Sequence, residues 1–323
     1  MVGMGPRTIK TAIVAGLSIW LAELTSLEFS TFAGIIAILC MEKTKKKTVD
    51  TIYKKFIACL LSLLFGGLFF ELAGYTALVF PIFILLFVPL LVRLKIQDGF
   101  VTSMVVVLHI YSLRELSLEI LFNELAIIVI GTGLAFLVNS FMPNLKNEIE
   151  QYKRKIEQSF STILFEFSAY LRNPDRNWDG REILEAEELI NQGKSLAILD
   201  VENHLLRRKN QDYFYLEMRE EQLEVLHRMM PIISSLGQTM YQKEIFADFL
   251  EDLSKRVHSG DTTDQSMKKL NECWKLIWNT DLPKTKEEFE IRANLFYLMN
   301  QMEEYLIIKK KLLGSRQMRT ASG

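Results

Sequence analysis

The sequence predicts an all-α protein in which a six-helix transmembrane bundle is followed by a cytoplasmic helical bundle. Two observations carry this prediction. Six apolar segments fill the first 142 residues, and charge is distributed very unevenly between the two halves of the chain. Residues 1–142 hold 20 of the 77 charged residues, whereas the remaining part holds 57. Such a contrast indicates that the two halves occupy different solvents.

The six apolar segments are too continuous for the alternating strands of a barrel, so helices are the predicted spanning elements. They are Thr8–Ala22, Phe29–Met41, Phe56–Ala73, Ala77–Val92, Phe100–Tyr111 and Ile120–Met142. A spanning helix needs about 20 apolar residues, and the second and fifth segments fall well short of that length. Each of these two could instead be a buried or re-entrant helix, or could use polar flanking residues to reach both membrane faces.

The stretch from Lys43 to Lys55 determines the predicted orientation, because short loops rich in lysine and arginine stay in the cytoplasm. We read this stretch as a loop between the second and third segments. Its six lysines are Lys43, Lys45, Lys46, Lys47, Lys54 and Lys55. With this loop inside, the inner loops hold 14 basic residues and the outer loops hold only Arg114. We therefore predict a multi-pass protein of the plasma membrane with both termini cytoplasmic.

Several polar side chains within or beside these segments are candidates for a substrate pathway, since ionisable groups at membrane depth usually face a partner or a route. Arg7 and Lys10 lie one turn apart at the start of the first segment, followed by Thr11. Asp98, followed by glycine, is typical of a helix N-cap before the fifth segment. His109 suits either a proton relay or a packed imidazole. Acidic residues such as Glu124 are predicted to lie near the interfaces.

The second half predicts a bundle of five or six amphipathic helices, because its apolar residues recur every three or four positions and no strand alternation is visible. The predicted helices are Leu145–Leu171, Asp179–His204, Gln211–Pro231 with a continuation or kink toward Arg256, Ser266–Asn279 and Lys286–Leu313. Thr285 and Glu288 form a capping-box pattern at the start of the last helix. We divide the chain into a transmembrane domain (1–143), a cytoplasmic domain (144–313) and a disordered tail (314–323).

No motif in the sequence indicates catalysis. A P-loop, an HExxH zinc motif and a GxSxG nucleophile elbow are all missing, which argues against nucleotide hydrolysis and against an enzyme. The cysteines Cys40, Cys59 and Cys273 form no CxxC pair and are predicted to be small buried hydrophobes. We therefore expect no cofactor and no metal. The charge balance of the second half also argues against a nucleic-acid partner.

The opening Gly5-Pro-Arg-Thr-Ile-Lys-Thr-Ala12 resembles the G-x-R-x-x-K-T-A start of the aromatic acid exporter family. The six-span layout, the lysine-rich loop and the Asp98-Gly99 turn extend the resemblance. The run from Tyr213 to Gln222 is similar to the C-terminal domain of the Gram-positive branch, so the likeness covers about residues 1–313. Fusaric-acid resistance pumps and plant malate channels are related to this family.

The resemblance implies efflux of small organic anions, among them aromatic carboxylates, without nucleotide hydrolysis. Larger members carry two copies of the six-span unit, so this single copy implies a homodimer in the lipid bilayer. The helical domain would gate the route or hold the dimer together. A second hypothesis remains open: the spans only anchor a cytoplasmic domain that binds a ligand or partner, as a sensor or scaffold.

Overall fold

The computed structural model of the chain describes residues 6–141, 145–204, 210–236, 240–257 and 263–320. Within these ranges all regular structure is helical, with twelve α-helices and one short 3-10 turn, so the all-α class is confirmed. The chain forms two compact units. Met1–Pro143 makes up most of the first, and Asn144–Val201 with Arg207–Gly323 makes up the second.

Each of the six apolar segments carries one helix of the first unit. These helices are α1 (Pro6–Leu24), α2 (Thr31–Cys40), α3 (Lys45–Ala73), α4 (Val79–Arg93), α5 (Phe100–Leu113) and α6 (Leu118–Ser140). Among the described residues, α3 and α6 are the two that are long and apolar enough to cross a membrane by length and composition, while α2 and α4 are shorter apolar helices. With 10 residues, α2 covers roughly 15 Å of a hydrocarbon core of about 30 Å. The count of six spans therefore stays a prediction.

The lysine-rich stretch is not the loop that the sequence predicted, because α3 begins at Lys45 and includes most of it. Thr44 caps the helix by accepting a hydrogen bond from the backbone N–H of Lys47 at 3.4 Å. Lysine is a good helix former, and threonine is a favoured N-cap residue. Both preferences outweigh the polarity that suggested a loop.

Asp98 does not cap α5, contrary to the sequence prediction. Residues Gln97–Gly99 form a 3-10 turn, Gly99 is the N-cap, and no side chain caps the helix. Asp98 instead lies 3.0 Å from Lys54 Nζ. Gly99 is required here because a Cβ atom would come within 2.4 Å of the Ala58 Cβ atom. The aspartate-glycine pair thus serves close packing of the turn against α3 rather than capping.

The small residues that recur at helical spacing lie at helix contacts. Ala58, Ser62 and Gly66 of α3 are buried. At Gly131 of α6, a Cβ atom would come within 2.7 Å of the Ala33 carbonyl oxygen of α2. Close approach of helix backbones is the usual role of such residues in membrane bundles.

The two prolines of α4 lie at different positions in the helix. Pro81 is the third residue of α4, within the first turn, where the backbone N–H has no partner in the helix. It therefore removes no internal hydrogen bond. Pro89 lies inside the helix. Pro143, predicted to end the sixth segment, falls outside the described residues, and α6 ends at Ser140.

The second unit contains six helices in its described residues, within the predicted five or six. They are α7 (Lys146–Arg172), α8 (Arg181–Asn203), α9 (Gln211–Ser235), α10 (Tyr241–Ser254), α11 (Thr263–Trp278) and α12 (Lys286–Thr320). α9 continues past Pro231 to Ser235, and α10 begins at Tyr241 as a separate helix. The predicted single stretch toward Arg256 is therefore two helices, although 237–239 lie outside the described residues. Residues 258–262 also fall outside them, and α11 begins three residues before the predicted start at Ser266.

The last helix continues into the stretch that was predicted to be a disordered tail. α12 reaches Thr320, whereas the sequence ended it at Leu313. Arginine, glutamine and methionine are good helix formers, and no proline interrupts this stretch, so local propensity favours continuation. The predicted capping box at its start is formed only in part, because Glu288 accepts from the N–H of Lys284 and not from that of the N-cap Thr285. Thr285 Oγ1 accepts from the Glu288 N–H at 3.1 Å, and Glu288 Oε2 accepts from the Lys284 N–H at 2.8 Å.

Candidate substrate pathway

Arg7 and Lys10 both contact the carboxyl ends of other helices. The exposed Arg7 donates from Nη2 to the Met41 carbonyl at 3.1 Å, where α2 ends. Lys10 donates from Nζ to the Phe141 carbonyl at 2.6 Å, where α6 ends. Helix carboxyl ends carry negative partial charge from their last carbonyls, so both cations are stabilised there. The structure therefore brings the two predicted cations to one polar end of the first unit.

The lysines of α3 divide into two groups. Lys54 bridges Asp50 at 2.7 Å and Asp98 at 3.0 Å, and the buried Lys55 donates to the Leu39 carbonyl of α2. By contrast, Lys43, Lys46 and Lys47 are exposed and Lys45 is half-buried. Lys45, Lys46 and Lys47 fall in the first turn of α3, which contains no acidic residue. Cations at a helix amino end are unfavourable, so helix stability does not explain them.

Asn139 is a residue of this polar end that the sequence did not single out. It is buried in α6, and its Nδ2 donates to the Glu42 carbonyl at 3.2 Å and to the Thr48 hydroxyl. An asparagine inside an apolar segment was the available signal, since buried amides need partners. Asn139 ties the end of α6 to the start of α3. Thr11 is half-buried on α1, one residue beyond Lys10.

His109 and Glu124 form a buried polar contact in the first unit. His109 Nδ1 lies 2.8 Å from Glu124 Oε1, joining α5 to α6. His109 is 4% exposed and Glu124 is 1% exposed. Glu124 therefore faces the interior of the bundle, whereas its predicted depth near an interface stays a prediction. Position along a helix indicates depth but not which face a side chain occupies, and for that reason the sequence did not reveal this pair.

Two phenylalanines enclose the imidazole of His109. The Phe29 ring stacks on it with centroids 4.3 Å apart and planes 13° apart, and the Phe32 ring meets it edge-on at 3.9 Å. Phe29 belongs to the loop before α2, and Phe32 lies in the first turn of α2. His109 and Glu124 thus hydrogen-bond each other, and two aromatic rings contact the imidazole.

A second polar cluster lies in the core of the other unit. Arg219 of α9 is 2% exposed, and it donates to the Tyr215 hydroxyl at 3.0 Å and to Gln222 Oε1 at 3.1 Å. Its Nη2 lies 3.4 Å from Glu157 Oε1 of α7. Burial disfavours the arginine charge, but Tyr215, Tyr305 and Glu157 together raise the pKa of Arg219 above its ordinary value. All three guanidinium nitrogens of Arg219 hydrogen-bond protein groups, so its role is structural.

A groove of about 370 Å³ lies between α9 and α12 in the second unit. Six of its nine lining residues are charged, among them Glu221, Glu224 and Arg228. Small-molecule sites are mostly apolar with a few convergent polar groups. This groove does not have the character that a ligand-sensing domain would need.

Comparison with known proteins assigns the whole chain. Residues 2–142 match the profile of "Aromatic acid exporter family member 1", and residues 146–310 match "Putative aromatic acid exporter C-terminal domain". The chain belongs to the aromatic acid exporter family. As a member of this family it is a membrane protein of the small-acid transporter class, and the resemblance inferred from its opening motif is confirmed.

Two known proteins are similar to this exporter family member. "Uncharacterized protein YqjA" of Bacillus subtilis (strain 168) is 40% identical over 314 residues, covering 97% of this chain and 98% of that protein. A solved structure, "putative membrane protein from Clostridium difficile 630", is 21% identical with a TM-score of 0.46. It aligns over 51% of this chain and 98% of its own.

Proposed function

We propose that this exporter family member moves small organic anions, including aromatic carboxylates, out of the cell without hydrolysing a nucleotide. In this proposal residues 1–143 cross the membrane six times with both termini cytoplasmic. Residues 144–313 form a cytoplasmic helical domain, and two copies of the chain assemble as a homodimer. The match of nearly the entire chain to exporter profiles carries the proposal.

The outer surface of the first unit supports placement in lipid. Every helix in it except α2 exposes at least one large apolar side chain that is more than half accessible, and α2 exposes Ile38 at 46%. Examples are Trp20 of α1, Leu68 of α3, Leu85 of α4 and Phe122 of α6. Water-soluble monomers rarely expose apolar patches larger than a few hundred Å². A surface of this kind suits a bilayer or a second copy of the chain.

The lysines at the start of α3 support the orientation. They oppose the dipole of their own helix, so a role outside helix stability accounts for them better. Lysines that flank a span on the cytoplasmic side provide such a role. In this arrangement Arg7 and Lys10 lie at the cytoplasmic mouth and attract the carboxylate of the substrate. Thr11, Asp98 and His109 follow as polar groups of the route, with Asp98 held by Lys54.

The decisive experiment compares export of labelled carboxylates from cells with and without the chain. We expect faster loss of aromatic and other small carboxylates from cells that produce it, and no difference for a neutral aromatic amide of the same size. The same panel is then tested in vesicles that contain the purified protein. If no carboxylate leaves cells or vesicles faster than in the protein-free control, the exporter proposal is wrong.

A cysteine placed at Lys46 should react only with reagents that reach the cytoplasm. The native thiols Cys40, Cys59 and Cys273 are buried, so they contribute little background. Intact cells that produce Lys46→Cys should therefore resist a membrane-impermeant maleimide until they are opened. Thr76→Cys is the matched control, since Thr76 is exposed and lies in a proposed outer loop. Labelling of Lys46→Cys in intact cells would reverse the orientation.

A further inference from the structure

The buried contact between His109 and Glu124 leaves two polar atoms without partners. Glu124 Oε2 and His109 Nε2 are inaccessible, and neither makes a hydrogen bond to any group in the described part of the chain. Buried polar atoms of this kind normally have a partner, so an unmatched one calls for an explanation. The two atoms belong to one acid and one base that already share a hydrogen bond.

The charge of this pair depends on how many protons it holds. With one shared proton the pair is neutral overall, either as imidazolium with carboxylate or as imidazole with carboxylic acid. Removing that proton leaves one net negative charge, and adding a second gives one net positive charge. A net charge is costly in a buried apolar site, so the enclosed pair holds one proton. Contact with water removes this restriction.

The short segment 28–32, which we call the strap, covers the pair. Its Phe29 and Phe32 rings contact His109 on two sides. Asn123, the neighbour of Glu124 in α6, holds the strap through two hydrogen bonds to the backbone of Glu28, at 2.8 and 3.1 Å. Phe29 has a φ of 58°, a left-handed conformation that a bulky residue rarely adopts. The hydrogen bonds of Asn123 and the ring contacts with His109 therefore hold the strap closed, although the left-handed backbone of Phe29 is unfavourable.

The neighbouring elements place few ionisable groups beside the pair. The buried thiol of Cys59 on α3 is the ionisable group that interacts electrostatically with Glu124 from that helix. α2 contributes the Phe32 ring, and the strap contributes the Phe29 ring and Glu28, which is exposed. No lysine or arginine side chain among the described residues forms an ion pair with Glu124.

We propose that His109 and Glu124 form a proton-binding site that exchanges its proton with water when the strap moves. In the proposed topology the strap is on the outer side. A proton from outside would bind to the opened pair, be carried in the closed neutral state, and be released toward the cytoplasm as an organic anion leaves. This inference deepens the proposed function by naming the proton as the coupled ion, and in that respect it rests on the exporter proposal.

Infrared difference spectroscopy of the full chain in lipid nanodiscs tests the site without any transport measurement. A titration across neutral pH should show a carboxyl band, from the carboxylic-acid carbonyl or from the carboxylate, that is lost in Glu124→Gln. Glu119→Gln is the matched control, because Glu119 is an exposed acid of the same helix, and the band should remain in that variant. His109→Gln should shift the band, and this variant provides the test if Glu124→Gln does not fold. A band unaffected by Glu124→Gln and by His109→Gln overturns the proposal.

Vesicle flux measurements then separate the site from the exporter function. An inward proton gradient should accelerate anion export by the native chain, and Glu124→Gln should lose this acceleration while keeping exchange of labelled for unlabelled anion. If Glu124→Gln keeps the full acceleration, the proton site is wrong even though export is real. If the native chain moves no anion but the infrared band depends on Glu124, the exporter function is wrong and the proton site is supported.

Discussion

Replacing Arg219 with alanine should lower the free energy of unfolding of the second unit by about 3–5 kcal/mol, the usual cost of breaking a buried ion pair from one side. The arginine is 2% exposed, and its loss leaves Gln222 and Tyr215 short of a partner and Glu157 without its cation. Domains are stable by only about 5–15 kcal/mol, so this loss takes a large part of the margin. Tryptophan fluorescence during urea unfolding of the full chain measures it, since three of the four tryptophans lie in this unit.

Arg228→Ala is the matched control for this prediction. Arg228 lies on the same helix and pairs with Glu304 at 2.9 Å, but its side chain is 43% exposed. Exposed ion pairs contribute little to stability, so we expect the unfolding midpoint to change only slightly. Arg219→Met combined with Glu157→Gln should recover part of the loss, because it removes the uncompensated charge. Equal effects of Arg219→Ala and Arg228→Ala would contradict a structural role for the buried cluster.

Replacing Lys10 with alanine should reduce organic-anion flux in reconstituted vesicles to the level of protein-free vesicles. The reason is electrostatic: Lys10 is a half-buried cation where the proposed route begins, and an anion entering an apolar bundle needs a compensating charge. Lys10→Arg retains the charge and should retain measurable flux. Removing the exposed Lys46 as Lys46→Ala should change flux little, since its charge is screened by solvent.

The hydrogen bond from Lys10 to the Phe141 carbonyl offers a competing explanation, in which the lysine only secures the end of α6. Thermal unfolding of the same variants separates the two. A substrate role predicts that Lys10→Ala loses flux while its unfolding temperature stays close to that of Lys46→Ala. If Lys10→Ala transports normally, the lysine is not part of the route, whatever its effect on stability.

Helix periodicity in the sequence was enough to place the helices of both units, because long amphipathic or apolar stretches have few alternatives. The assignments that failed concern competition between local and tertiary preferences. Asp98 has the residue type of an N-cap, yet Lys54 offers its carboxylate a charged partner. The lysines after Thr44 suggested a loop, but a cap and good helix formers made a helix.

The candidate site was predictable only in part. Arg7 and Lys10 were recognisable because their spacing and position carry the signal. The pair of His109 and Glu124 was not, since it depends on which faces of α5 and α6 meet. The aromatic residues that enclose it lie about 80 positions away in the chain, and no local pattern connects them to the histidine. His109 was therefore recognisable as a candidate, whereas its contact with Glu124 was not.

The length of α3 has a mechanical consequence. Its 29 residues extend roughly 44 Å, about 14 Å more than the hydrocarbon thickness of a bilayer. That excess equals about nine residues, close to the stretch from Lys45 to Tyr53. In the proposed topology these residues continue the rigid helix into the headgroup layer. Because the helix is rigid, its lysine ammonium groups stay at fixed depths in the headgroup layer, which a flexible loop would not ensure.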